Sequence, residues 1–263
     1  MMASITPLPT SVYLDYNATT PCDPRVVEKM RPYFEELYAN PANGYHCWGR
    51  LAARAVEDAR AQVGELINAA PGEIVFTAGA TESNNLAILG LARMARSSKR
   101  RRIVTTAVEH KAVLLPCKRL VEEGFELVVL PVDDNGRVIL DAARAEINAE
   151  TLLVSVQAAN NEIGTIQPVA EIAEIAHAQG TVVHCDAAQA VGKIWVDVHR
   201  LGVDLLSASA HKLYGPKGIG CLYIRGGARS IALEPLIYGG GQEHGIRAGT
   251  TNVPNAVECS WFW

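Results

Sequence analysis

Apolar residues recur along this chain in two alternating rhythms. Short apolar or alternating runs predict strands over 73–77, 102–106, 126–131, 152–156, 182–185, 205–207 and 220–224. Apolar residues at helical spacing predict helices over 24–37, 51–68, 83–94, 112–123 and 170–179. Through the middle of the chain the two kinds of segment alternate, and "DDNGRV" (133–138) is a turn after a strand. Strand–helix alternation implies parallel strands joined by crossover helices. The expected fold is α/β, a three-layer αβα sandwich with a mostly parallel central sheet. No linker interrupts the order, so it reads as one continuous domain.

In a sheet of this kind, ligands bind beyond the carboxyl ends of the strands. Polar segments fall at five of those ends: "TAGATES" (77–83), "EHKAV" (109–113), "NNEIGT" (160–165), "DAAQ" (186–189) and "SAHK" (209–212). Composition leaves room for a core to support them, with 49% hydrophobic and 20% charged residues in 263. The net charge of −4 and the lack of a basic stripe exclude nucleic acid as an expected partner. The apolar runs fall short of a membrane span, and the first residues carry no basic, then apolar, secretory pattern. Six cysteines, at 22, 47, 117, 185, 221 and 259, are scattered without a CxxC. That spacing suits neither a disulfide framework nor a zinc site, so no metal is expected. Reduced cysteines fit a cytoplasmic protein.

The sharpest chemical signal is "SASAHKLYGPKGIG" (207–220). It sets Lys212 between an apolar strand ending in small residues and a glycine-rich turn feeding another strand. A lysine against an apolar wall has its pKa lowered by desolvation and becomes a nucleophilic amine able to trap an aldehyde. Gly79, Ala80 and Thr81 open a helix, where free backbone N–H groups suit a phosphate. An ordinary Thr81 N-cap is the alternative. Asp186 follows an apolar strand and could hold a pyridinium N–H, or simply cap a helix. Gln189, three residues on, could donate to a ring oxygen. His110 starts a helix and could stack on an aromatic ring, or be solvated. Together these groups describe a pyridoxal phosphate site.

At the level of whole motifs, the chain resembles the cysteine desulfurases of the NifS/IscS type, in the class V branch of the fold type I aminotransferases. The resemblance runs from "YLDYNATTP" (13–21) through "NPANGYHCWGR" (40–50), "EIVFTAGATESNNLAI" (73–88), "VEHKAV" (108–113), "NNEIGTIQP" (160–168), "HCDAAQAVGK" (184–193) and "SAHKLYGPKGIG" (209–220) to "GGGQEHGIRAGT" (239–250). It implies an enzyme that takes sulfur from L-cysteine, leaving L-alanine, for iron–sulfur cluster or thio-cofactor assembly. Pyridoxal 5'-phosphate would be the cofactor. Lys212 would hold the cofactor's aldehyde, and Asp186 its ring nitrogen. Gln189 would meet the phenolic oxygen. His110 would stack on the ring and move protons. Ala80, Thr81, Ser209 and His211 would hold the phosphate, and Asn161 would lie near the substrate carboxylate. The family forms homodimers, in which Thr250 would reach the neighbouring subunit's phosphate. Scaffold or sulfur-acceptor proteins are implied as further partners.

The resemblance divides the chain into residues 1–14, which belong to the small domain in the family, a cofactor-binding large domain over 15–256, and an aberrant end over 257–263. Family members continue into a C-terminal small domain carrying the cysteine that takes up the sulfur. None of the six cysteines here matches it, and all six read as structural. The resemblance therefore implies a desulfurase-like protein impaired in sulfur transfer. A non-catalytic, dimerising remnant that binds the cofactor is the second reading. Another class V enzyme, such as a selenocysteine lyase, is the third.

Overall fold

The structure, a computed structural model, describes residues 11–258. In chain order the elements begin with α1 (Pro24–Met30), α2 (Pro32–Glu35), α3 (Cys47–Leu66) and β1 (Ile74–Thr77). Then come α4 (Ala80–Asn85), a π-wound turn (Leu86–Gly90), α5 (Leu91–Met94), β2 (Arg102–Thr106), α6 (Lys111–Glu122) and β3 (Glu126–Leu130). Next are α7 (Leu140–Glu146), β4 (Thr151–Gln157), α8 (Val169–His177), β5 (Val182–Asp186) and α9 (Val198–Leu201). The chain closes with β6 (Leu205–Ser209), β7 (Gly220–Ile224) and α10 (Val253–Glu258).

All seven expected strands form one sheet, in the order β1-β7-β6-β5-β4-β2-β3. Neighbours from β6 to β3 are parallel, and β7 runs antiparallel to both β1 and β6. Six strands therefore point the same way, and their carboxyl ends share one edge with the start of β7. The period-two pattern splits the core between the two faces. Ile74, Phe76, Val104, Val154, Val183, Cys185 and Leu206 pack with Ala52, Val56, Ala59 and Val63 of α3 and Ile172, Ala173 and Ala176 of α8. Val75, Ile103, Leu153, Leu205, Leu222 and Ile224 pack on the other face with the segment around Leu86–Leu91 and with Val113, Cys117 and Leu120 of α6. The result is the expected three-layer sandwich.

The helices depart from the periodicity in instructive places. The helix expected over 24–37 breaks at Arg31, because Pro32 has no N–H to continue the ladder. The one expected over 51–68 starts earlier, where the Nδ1 of His46 accepts the Gly49 N–H at 3.0 Å. The one expected from 83 begins at Ala80. Its π turn ends at Gly90, whose carbonyl accepts the Glu234 N–H at 3.0 Å. Short helices α7, α9 and α10 were below the length at which periodicity is legible.

Two polar constructions hold the interior. β1 is an edge strand, yet its outward groups are not bare. Arg60 Nη1 donates to Ile74 O at 2.7 Å, and the Phe76 N–H donates to Glu243 Oε2 at 2.9 Å. Arg60 and Glu243 are buried and meet in a two-pronged pair at 2.7 and 2.9 Å. Glu243 and His244 hold φ values of 46° and 59°, conformations that cost a residue with a side chain. The pair thus fixes a strained segment against the sheet edge. Beneath the opposite half of the sheet, Ser155 Oγ lies 2.8 Å from His184 Nδ1 and Ser207 Oγ lies 3.0 Å from His184 Nε2. This chain of polar groups crosses β4, β5 and β6 inside the protein.

Glu243→Ala would leave the buried Arg60 guanidinium with only the exposed Glu57 carboxylate and the Ile74 carbonyl as partners, and the Phe76 N–H without its acceptor. A stability loss of about 3–5 kcal/mol in urea unfolding is expected. A loss below about 1 kcal/mol, the range of exposed pairs, would show that the pair carries nothing. Burial pushes the His184 imidazole down from 6.5 to about 3. The unfolded chain then binds the extra proton first as pH falls, so stability is lost between those two values. His184→Gln should flatten that acid limb in urea midpoints measured against pH. An identical limb in both proteins would refute the assignment.

Candidate active site

The shared strand edge opens into a cavity of about 1280 Å³. Nine of the ten residues singled out from the sequence line it: Ala80, Thr81, His110, Asn161, Asp186, Gln189, Ser209, His211 and Lys212. Thr250 does not. It is exposed at the end of the segment that Glu243 anchors.

Asp186, the last residue of β5, forms part of the floor. Its Oδ2 accepts from Asn84 Nδ2 at 2.7 Å, and its Oδ1 accepts from the Ala188 N–H at 3.0 Å. Burial pushes its pKa up, while these bonds and the charges of His110 and Lys212 pull it down. A buried carboxylate of this kind is completed by a cation or a charged N–H placed in the cavity. The Ala188 bond makes Asp186 the cap of a turn, while its Oδ2 stays at the cavity side with Asn84.

Lys212 ends a short 3-10 turn, Ala210–Lys212, directly after β6. Its Nζ donates to the carbonyls of Asn17 and Ala18 at 2.5 and 2.9 Å. Burial lowers its pKa, opposed by Asp15 and Asp186. The direction is the one expected from the sequence, although the amine rests against two backbone carbonyls. Asn17 gathers further groups: its carbonyl also accepts from Gln189 Nε2 at 2.8 Å. Gln189 Oε1 in turn accepts from Lys193 Nζ at 2.5 Å. His211 Nδ1 lies 3.1 Å from Thr19 Oγ1, and burial lowers its pKa.

His110 is the N-cap of α6, its Nδ1 accepting the Ala112 N–H at 3.1 Å. With Nδ1 an acceptor, the neutral ring carries its hydrogen on Nε2. Asn161 donates to Glu162 Oε1 at 2.9 Å. On the other side of the cavity, Gly79 has φ 146°, a conformation open only to glycine, and turns β1 into α4. Gly220 stands opposite both Thr77 of β1 and Ser209 of β6 in register. A Cβ on Gly220 would lie 2.4 Å from Ala208 O and 2.6 Å from Gly79 Cα. Glycine at both positions therefore lets the 79–81 turn close on Ser209–Lys212.

Sequence reasoning missed four contributors. Asn84 is buried but lines the cavity, Gln157 lines it opposite Asp186 in register, Glu109 is buried beside His110, and Asn17 gathers the cationic side. Asn17, Asn84 and Glu109 lie inside quoted motifs and Gln157 directly after the strand expected over 152–156, but only the folded backbone shows which face each occupies. Of the cysteines, Cys117, Cys185 and Cys221 are buried, and none of the described ones lines the cavity. Cys259 lies outside the described residues. No group of metal-ligating side chains occurs among those residues, and none of the described helices is long and apolar enough to cross a membrane.

A mixed sheet with its polar groups gathered at the strand ends around one half-buried lysine defines an α/β protein with a polar cavity at that edge. The model of the family "Aminotransferase class-V" matches residues 12–261, and the chain belongs to that family. A mitochondrial cysteine desulfurase of Arthroderma benhamiae is 51% identical over 247 residues, 94% of this chain and 49% of the relative. Cysteine desulfurase IscS of Dechloromonas aromatica is 52% identical over 251 residues, 94% of this chain and 62% of the relative. The chain thus spans about half to three-fifths of the length of these curated relatives. Among solved structures, a NifS-like protein superposes with a TM-score of 0.91 at 44% identity, covering 95% of this chain and 68% of the other. SspA in complex with cysteine gives 0.91 at 40% identity, covering 96% and 72%.

Gly220→Ala should cost about 1–3 kcal/mol, as overpacking against backbone does. Urea unfolding checks it, and a neutral substitution would show that the two turns do not need their close approach.

Proposed function

We propose that this chain is the cofactor-bearing part of a pyridoxal-phosphate-dependent cysteine desulfurase, acting on L-cysteine. The observation that carries the reading is the convergence of Lys212, Asp186 and Gln189 in one cavity, in a chain of this family. The names of its relatives support the reaction, and a relative solved in complex with cysteine supports the substrate. The residues fit the cofactor. A buried Asp186 gains from a charged N–H opposite it, and the start of α4 at Ala80 and Thr81, beside Ser209 and His211 in the cavity lining, suits a phosphate.

In this reading Lys212 holds the aldehyde, and desolvation keeps its amine nucleophilic. The 79–81 turn, Ser209 and His211 hold the phosphate. Gln189, fixed by Lys193 and Asn17, addresses the phenolic oxygen. The bound group supplies the electron sink that makes loss of a Cα proton feasible. His110 stacks on it, presents Nε2 to the cavity as its proton-carrying atom, and keeps Nδ1 engaged on α6. Asn161 orients the substrate carboxylate. Thr250, exposed and outside this cavity's lining, would serve a second copy in a homodimer. The protein works in the cytoplasm and feeds sulfur-acceptor or iron–sulfur scaffold proteins.

Borohydride reduction of the protein incubated with pyridoxal phosphate should fix the cofactor, and peptide mapping should find it on Lys212. Lys212→Ala should carry no fixed cofactor. Fixation at another lysine, or none in the wild type, would reject the reading. In an active full-length context, Asp186→Asn should lose about 10²–10³ in rate, as removal of one preorganised charge does. Wild-type turnover would reduce Asp186 to a turn cap.

A further inference from the structure

Behind the cavity floor lies a second buried carboxyl that the reading above does not use. Glu109 precedes His110 in the loop between β2 and α6. Its Oε1 accepts from Thr106 Oγ1 at 2.8 Å and from the Gln157 N–H at 2.9 Å. The neighbouring Val108 carbonyl accepts from Gln157 Nε2 at 2.7 Å and Asn160 Nδ2 at 2.9 Å. These bonds tie the loop bearing His110 to the end of β4, whose Gln157 stands opposite Asp186. The other oxygen, Glu109 Oε2, is buried with no hydrogen-bond partner, and so is Asn84 Oδ1. Asn84 is the residue that donates to Asp186. Two acceptors are thus left without a hydrogen, one on each side chain that bears on Asp186.

We propose that Glu109 is a positioning residue for the floor: it carries the single proton of a buried carboxyl pair, leaving Asp186 as the anion that faces the cavity. A proton on Oε2 turns one orphaned acceptor into a donor. It also removes the cost of a second buried negative charge beside Asp186. Asp186 is the better place for the charge, because Asn84, the Ala188 N–H, His110 and Lys212 all favour its ionised form. Around Glu109 the balance differs. Thr106 and Gln157 favour the charge but serve only Oε1, no cation is among the described groups that bear on it, and burial first and the Asp186 charge after it disfavour ionisation. Burial pushes the Glu109 carboxyl up from 4.5 to about 8. The neutral carboxyl keeps its bonds to β4 and so holds the His110 loop in place. The proposal deepens the cofactor reading, since the anion on Asp186 matters for catalysis only if a charged ring nitrogen faces it.

The test uses the chain without added cofactor, so its outcome is separate from whether Lys212 captures pyridoxal phosphate. Infrared spectra at neutral pH should show the carbonyl band of an un-ionised carboxylic acid. The band should vanish in Glu109→Gln and persist in Asp186→Asn. Urea midpoints give the second measurement. A group whose folded pKa is raised stabilises below its unfolded value and loses that contribution as pH rises to the folded one. Wild type should therefore fall relative to Glu109→Gln between pH 4.5 and about 8. Both results support the assignment. No acid band in the wild type, a band lost in Asp186→Asn instead, or parallel pH profiles would each overturn it.

Discussion

Gly220 starts β7 where three backbones crowd together, and the cavity is built around that crowding. Because β7 runs against its neighbours, its first residue stands between the last residues of β1 and β6. The turn after β1 and the lysine-bearing turn after β6 are distant in sequence, yet one residue without a side chain is all that separates them. A side chain there would push on Ala208 and Gly79 backbone atoms, which have nowhere to go. The reversed strand is therefore a spacer whose narrowness sets the width of the site. On its other side, the parallel strands β4 and β5 deliver Asn161, Asp186 and Gln189 by the ordinary logic of strand ends.

The electrostatics follow from depth. Charged groups at the cavity mouth, such as Lys193 and Asp15, keep contact with water. Asp186 and Glu109 lie below them, where each charge needs a partner. Lys212 stands at the boundary, lowered by burial and held up by carboxylates. A ligand bringing both an anionic end and a cationic ring nitrogen would meet complementary partners at the two ends of this gradient. That match is why the cofactor reading rests on arrangement rather than on any one residue.

Much of this was legible in the residue pattern. The seven strands and the layer order came from periodicity, because a buried parallel sheet writes itself as apolar runs of strand length. Lys212, Asp186 and Gln189 came from their positions at strand ends. What escaped were features decided by packing. Glu109 fell in a strand-end segment and Asn84 in an expected helix without either being singled out, and only the closure of α4 and α6 over the sheet buries them. The break at Arg31 was signalled by Pro32 but outweighed by the apolar rhythm around it. The helices α7, α9 and α10 are too short for any rhythm to show. Thr250 could not be placed by pattern, since its segment takes its path from the Glu243 anchor and not from periodicity.

The Arg60–Glu243 pair has a consequence beyond holding a loop. Open sheet edges offer rows of unpaired amides and carbonyls on which another chain can lay a strand. Here two side chains imitate the missing strand, one as acceptor and one as donor, and they consume the hydrogen-bonding capacity of β1 at Ile74 and Phe76. The edge is closed without a covering helix or a proline. A chain that lost this pair would regain a sticky border of apolar β-structure, and its failure would take the form of self-association into extended sheets as much as simple unfolding.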